Sequence, residues 1–471
     1  MDFLTATIAL LLPVLLGGLW LSLFVPRGIV ARRALVWGNG ALIGLMLIPQ
    51  IMRAQDAVGL PLNFSFTYSI VCTLVVLALI ARVVITRNSQ VEYTKPRAFA
   101  AMPPLHRLLF VVFLLMILLR VATLGLEILW RPLFPWDATM HWATKARVWF
   151  EFQEMVPFVD NFTWLNSPGE DVFTDRHPGY PAAIPLLQVW MNLAIGRWNE
   201  SLMNLPWVLC LLALGTALYG QLRFAGVNPL LAIVATYLLQ SMPLINTHVA
   251  LAGYADLFLG AAYCGALMAF QSWVTTQQRW QGFLVILFAV LCSTIKSEGF
   301  VWALTLIPAL AVALMTRRQA AKLFALVTVI LVLLLILVSK DTVIAGYTIE
   351  GLAPSLHIAG LVGTVKVIWL HDNWHLFGYL LLAIIPLGLL LPGTMTKKFL
   401  GLSLALGIAA GSYIYLFLFT GFGWGASNFA AVGRLGIQIV PGLLFLCVLI
   451  FNEYLDRREL QSSAEATESF V

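Results

Sequence analysis

Runs of about 20 mainly apolar residues, the length that crosses the hydrocarbon core of a bilayer as a helix, recur along the whole chain. Four precede residue 130, at roughly 3–24, 34–52, 67–86 and 107–128. After a polar stretch come further runs at about 205–224, 228–246, 252–272, 282–297, 299–315, 322–339, 376–392, 399–421 and 432–452. The expected fold is therefore an all-α polytopic membrane protein with about thirteen transmembrane helices. Composition agrees: 61% of the 471 residues are apolar and 11% charged, against roughly 45–50% and 25% in soluble domains. A soluble enzyme, a disordered chain and a disulfide-stapled module are excluded. The net charge of +6 does not point to nucleic acid, because the basic residues punctuate apolar runs and form no stripe. Cys72, Cys210, Cys264, Cys292 and Cys447 all lie inside apolar runs with no CxxC spacing, as buried free thiols do. Met1-Asp2-Phe3 lacks the basic start of a cleavable signal peptide, so the first run is expected to be retained.

Lys and Arg favour the cytoplasmic side. Arg27, Arg32 and Arg33 fix one inner loop, and Arg87, Lys95, Arg97 and Arg107 another. Counting back from the C-terminus, Arg317, Arg318, Lys322, Lys397, Lys398, Arg457 and Arg458 are also inside. The two countings agree only if the short apolar segment 182–196 does not cross the bilayer, which makes it an interfacial or re-entrant helix in a large outer loop, 130–204. Asp137, His177, Asp256, Lys296, Glu298 and Arg434 then all fall on the extracytoplasmic side. That pattern suits an active site at an outer membrane face, whereas transporters place ionisable groups near mid-membrane between repeated halves, and no internal repeat is visible.

Within the outer loop, Asp137, His141 and Lys145 recur at i, i+4 and i+8, which on a regular helix shares one face. A carboxylate among cations can act as a general base on a hydroxyl; a merely solvated face of an interfacial amphipathic helix explains the same pattern. Asp175-Arg176-His177-Pro178-Gly179-Tyr180-Pro181 is a rigid turn, with Arg176 and His177 available to a phosphate or hydroxyl, or simply polar residues of the turn. Asp256 opens an apolar helix, where favouring the helix dipole is the simpler account. Lys296 and Glu298 interrupt two spans; pairing with each other is one account, and the expense of charges at membrane depth points to function as the other. Arg434 follows a glycine-rich stretch and opens the last span, placed either for a lipid-linked phosphate or for snorkelling to headgroups.

The order of these features resembles the multi-pass glycosyltransferases of the C superfamily (GT-C), which use polyprenyl-phosphate sugars and include the protein O-mannosyltransferases and the aminoarabinose transferase of lipid A. The resemblance rests on Trp136-Asp137-Ala138, His177-Pro178-Gly179-Tyr180-Pro181, Gly253-Tyr254-Ala255-Asp256-Leu257, Lys296-Ser297-Glu298-Gly299 and Arg434, and covers roughly residues 107–450. It implies a catalytic membrane domain over 107–452, three additional N-terminal spans within 1–106 and a short cytoplasmic tail, 453–471. It further implies inverting transfer of a sugar from a polyprenyl-phosphate donor to an envelope glycan, lipid or protein at the periplasmic face of a bacterial inner membrane. Asp137 would be the base, and Arg434 and Lys296 would neutralise the departing phosphate. His177 and Tyr180 would shape the acceptor side, with His141, Lys145, Arg176 and Glu298 as further substrate contacts. Asp256 would bind sugar, hold a cation in place or assist a metal. No Asp-x-Asp pair occurs in the outer loop, and Glu170-Asp171 and Asp175 are loosely arranged, so metal independence is favoured over a divalent cofactor. The competing readings are a flippase or transporter of lipid-linked sugars, and an envelope polysaccharide polymerase or ligase, whose large outer loop normally comes late in the chain. A topology reporter fused near residue 200 is expected to read as extracytoplasmic; a cytoplasmic reading would put 182–196 across the membrane.

Overall fold

The computed structural model of the protein describes residues 2–87, 102–167, 172–344 and 347–468; Lys95, Arg97, Glu170 and Asp171 lie outside them. Each apolar run is a helix or a pair of helices. Helices α1 (Asp2–Phe24), α2 (Arg32–Ala57), α3 (Phe64–Arg87) and α4 (Pro104–Trp130) lead into the loop helices α5 (Thr144–Phe152) and α6 (Asn161–Leu165). There follow α7 (Ala183–Ile195), α8 (Leu205–Phe224), α9 (Pro229–Ser241), α10 (Pro243–Ala250), α11 (Asp256–Thr276), α12 (Arg279–Ile295), α13 (Glu298–Leu314) and α14 (Arg317–Leu337). The chain ends with α15 (Ile358–Val365), α16 (Phe377–Leu390), α17 (Leu400–Leu418), α18 (Trp424–Ser427) and α19 (Ala430–Glu468). Among the described residues strand is confined to two short ladders, Phe158–Val159 beside Phe173–Thr174 and Val343–Ile344 beside Tyr347–Thr348.

Among the described residues eight helices are long and apolar enough to cross a membrane, or nine if α9 and α10, bent by 57° at Met242, form one span. The chain is a membrane protein on that ground. Breaks in the chain account for part of the difference from about thirteen: α12 and α13 have 17 residues each on either side of Lys296-Ser297, and α16 has 14 before Pro392-Gly393. The α9–α10 bend is itself held, since Asn373 O accepts from Leu244 N at 3.0 Å and the His375 ring meets Ser241 O at 2.8 Å.

Helix α7, expected as a non-spanning interfacial or re-entrant helix, is buried against α1, α2 and α5. Its 13 residues rise only about 20 Å, too short to span. Its own apolar side chains are enclosed: Ile184, Leu187, Trp190 and Met191 are all inaccessible. Of its polar core residues, Gln188 Nε2 donates to Asn204 at 3.1 Å and Asn192 accepts from the Asn199 amide at 2.7 Å. The N-terminal helices are equally integral. Trp190 Nε1 donates to Ala9 O at 2.9 Å, and α2 lies against α8. Across the bundle interior, Gln221 of α8, Ser272 of α11 and Gln281 of α12 hydrogen-bond one another at 2.9–3.3 Å, the polar adhesion expected between helices in lipid. The polar C-terminal residues continue α19 as helix to Glu468, with Glu453 held by Lys398 and by Arg457 at 2.8 Å.

Helices α1 and α2 meet through small residues, so their backbones nearly touch: a Cβ on Gly17 would lie 1.9 Å from Gly40 O. Gly17→Ala is expected to lower the unfolding temperature in detergent by the equivalent of about 1–3 kcal/mol of overpacking. Gly125→Ala on α4, where a Cβ meets nothing within 4 Å, should not lower it, since Ala is about 0.4–1 kcal/mol better than Gly at an unobstructed helical position.

Candidate active site

The N-termini of α11, α13 and α19 and the C-terminus of α12 meet at one end of the bundle. Asp256, the first residue of α11, is wholly buried and is not spent on capping its helix. Its Oδ1 accepts from Lys296 Nζ at 3.0 Å and from Gln438 Nε2 at 2.6 Å, and its Oδ2 from Arg434 Nε at 3.2 Å. Lys296 also pairs with Glu298 at 3.1 Å, and Arg434 reaches Asp137 through Nη1. Gln438 is fixed in turn by Trp302 Nε1, which donates to its Oε1 at 2.6 Å. The Arg434 guanidinium lies over the Tyr254 ring, 4.3 Å from its centre, a favourable cation–π position. Three carboxylates thus meet two cations, and burial makes the Asp256 pairings obligatory, because an uncompensated charge there costs several kcal/mol.

Two glycines let these segments close up. Gly253 has φ +111, and a Cβ there would fall 2.5 Å from Ala138 Cβ, so the Asp256 loop can press against the residue next to Asp137. A Cβ on Gly299 would lie 1.9 Å from Cys292 O, which brings α13 tight against the end of α12 and sets Lys296 and Glu298 side by side.

The expected shared face of Asp137, His141 and Lys145 is not formed. Residues Ala138–Ala143 make a π-helical turn before α5, so the segment is not the regular helix that this spacing assumed. Asp137 faces Arg434, while His141 and Lys145 turn to a second cluster built on Asp175. There His141 Nδ1 lies 2.5 Å from Asp175 Oδ1, Lys145 Nζ 2.8 Å from Oδ2, and the His177 amide donates to Oδ1 at 3.0 Å. Lys145 also donates to the carbonyls of His177 at 2.8 Å and Pro178 at 3.2 Å. Asp175 therefore pins the turn whose next residues are His177 and Tyr180. Tyr180 is sandwiched between Trp142 and His177, with ring centres 4.9 and 4.8 Å away. Arg176 is exposed and joins neither cluster.

Burial works against ionising Asp175, but the His141 contact, the His177 amide and Lys145 outweigh it and hold its carboxyl down at about 2. Burial lowers Lys145 despite that partner. It also lowers His177, helped by the neighbouring His141. Tyr180 is pushed up to about 12 by burial, and it feels the charges of Lys296, Glu298, Arg434 and Asp137. The aromatic clamp thus stands within electrostatic reach of the first network.

Two cavities flank this assembly. One, of about 410 Å³, is bounded by Glu298 and by Val301, Trp302, Tyr413, Leu416 and Leu435, and is mainly apolar. Glu298 Oε2 is buried without a hydrogen-bond partner among the described residues. The other, of about 540 Å³, lies on the Lys145 and Tyr180 side. Among the described residues no three His, Cys, Asp or Glu side chains are grouped to hold a metal ion.

Of the sequence-derived candidates, Asp137, Asp256, Lys296, Glu298 and Arg434 come together in one network, and His141, Lys145, His177 and Tyr180 in the adjoining one. Asp175, Tyr254, Gln438 and Trp302 were not singled out as site residues. Asp175 stood within the quoted turn, and Tyr254 beside Asp256. Gln438 lies one helical turn after Arg434, a polar residue in an otherwise apolar span, and that was its signal. Compared with models of protein families, with curated proteins and with solved structures, the chain matches none.

Because ionised Asp175 is favoured by the fold, its contribution to stability is complete above roughly pH 4 and is lost as pH falls towards about 2. Melting curves across that interval should show a steeper loss for the wild type than for Asp175→Asn. Equal slopes would mean that the carboxylate is not held by these partners.

Proposed function

We propose that the protein is a membrane glycosyltransferase that moves a sugar from a polyprenyl-phosphate donor to a hydroxyl of an envelope acceptor, with inversion at the anomeric carbon. The observation carrying this reading is that Asp137, Asp256, Lys296, Glu298 and Arg434, drawn from segments spread over nearly 300 positions of the chain, converge in one charged network beside an apolar cleft. A lipid-linked phosphate needs both: cations for the head and an apolar surface for the chain.

The exposures suggest the order of events. Asp256 is 0% exposed and Asp137 27%, so an incoming phosphate can displace Asp137 from Arg434 far more easily than it can displace Asp256. Arg434 and Lys296, held from behind by Asp256, then face the phosphate, and Asp137 is freed to take a proton. The acceptor hydroxyl gives its proton to Asp137, and its oxygen bonds to the anomeric carbon. The carbon–oxygen bond to phosphate breaks, and polyprenyl phosphate leaves with the electron pair, its charge met by Arg434 and Lys296. Such fixed electrostatic stabilisation is commonly the largest part of an enzyme's effect. We place this chemistry at the periplasmic face of a bacterial inner membrane, on the distribution of basic loops.

Purified wild type is expected to release sugar from at least one member of a panel of polyprenyl-phosphate donors, and to do so undiminished in EDTA because side-chain cations serve the phosphate. Asp137→Asn should fold and bind donor but lose turnover by about 10²-fold or more, the scale of a lost general base. Full activity in that variant would move the base elsewhere, to Asp256 or Glu298. Donor translocated without cleavage would favour the flippase reading.

A further inference from the structure

The cavity of about 540 Å³ on the far side of Tyr180 is assembled from three separate parts of the chain. The end of α2 supplies Arg53, the outer loop supplies Lys145, Trp149, Phe158 and Tyr180, and the end of α12 supplies Thr294. Its volume lies in the range of small-ligand sites. Thr294 is two residues before Lys296, and Tyr180 senses the charges of the Asp137–Arg434 network, so a ligand here would sit next to the proposed reaction centre.

Charge decides what kind of ligand fits. No Asp or Glu lines the cavity among the described residues. Lys145 is neutralised by Asp175 at 2.8 Å. Arg53 is not matched in this way: its guanidinium meets the neutral Gln50 Oε1 at 3.3 Å. The carboxylate one turn further along, Asp56, accepts from the Met155 amide at 2.8 Å. An exposed guanidinium with no carboxylate partner among the described residues presents a planar fork for an anion, and the walls of Trp149 and Phe158 offer apolar surface to a ring.

We propose that this cavity binds the acceptor, and that the acceptor is an acidic saccharide, a sugar bearing a phosphate or carboxylate that Arg53 recognises. The proposal rests on the transferase reading for the word acceptor. It gives the N-terminal helices a role in substrate choice.

The test is a binding measurement that needs no turnover, so a failure of the transferase reading would leave its result unaffected. Full-length protein in phosphatidylcholine nanodiscs is titrated calorimetrically with glucose 1-phosphate, glucuronate and glucose. At least one of the charged sugars is expected to bind saturably and at least tenfold more tightly than glucose. Arg53→Gln should weaken that binding tenfold or more at an unchanged melting temperature, and Arg53→Lys should restore part of it. Replacing a quarter of the lipid by phosphatidylglycerol should not displace the sugar. The proposal is overturned by no saturable binding, by equal affinity in wild type and Arg53→Gln, or by glucose binding as tightly as the charged sugars. Arg53-dependent displacement by phosphatidylglycerol would also overturn it, since the occupant would then be a lipid headgroup.

Discussion

Arg434, held between Asp137 and Asp256, is the contact on which the rest of this end of the bundle depends. An apolar bundle cannot carry a lone guanidinium at little cost, and each carboxylate brought to it must in turn be satisfied. Asp256 recruits Lys296 and Gln438, Lys296 recruits Glu298, and Gln438 recruits Trp302. The chain of obligations sets where α11, α13 and α19 begin relative to one another. It also binds the outer loop to the bundle, because Asp137 belongs to the loop and Arg434 to the last long helix.

The helices were legible in the sequence because burial in lipid demands long apolar runs, and hydropathy reads that demand directly. Span lengths were less legible: whether Lys296-Ser297 ends one helix and opens the next depends on a charge network that no local window contains. The same limit applied to α7. Its shortness marked it as a non-spanning helix, interfacial or re-entrant, but the apolar surfaces of α1 and α2 that enclose it lie far away in sequence. For the site, unusual charges in apolar surroundings were sufficient to find Asp256, Lys296, Glu298 and Arg434. Asp175 was harder, because an acid in a polar loop is unremarkable until its partners His141 and Lys145 are seen to converge on it.

The two clusters divide the work differently. The Asp256 network gathers charge, whereas the Asp175 cluster gathers shape, fixing a Pro-Gly-Tyr-Pro turn so that Tyr180 stands locked between Trp142 and His177. Tyr180 lines the polar cavity beside Arg53, while the apolar cleft beside Glu298 is bounded by other residues. In the proposed reaction the apolar cleft is the donor side and the polar cavity the acceptor side, which gives the lipid chain and a hydrophilic substrate separate surfaces.

The π-helical turn at Ala138–Ala143 carries a consequence for how this segment tolerates change in length. A turn of this kind holds roughly one residue more than an α-helical turn. Removing one residue from it would let the segment wind as a regular helix and leave the residues beyond it, Lys145 among them, facing much as they do now, because the deletion takes out the residue that the wide turn absorbs. The same deletion made within α5 has no such slack to draw on and would swing everything downstream of it by about 100°. The wide turn is therefore where this segment takes up a change in length at least cost.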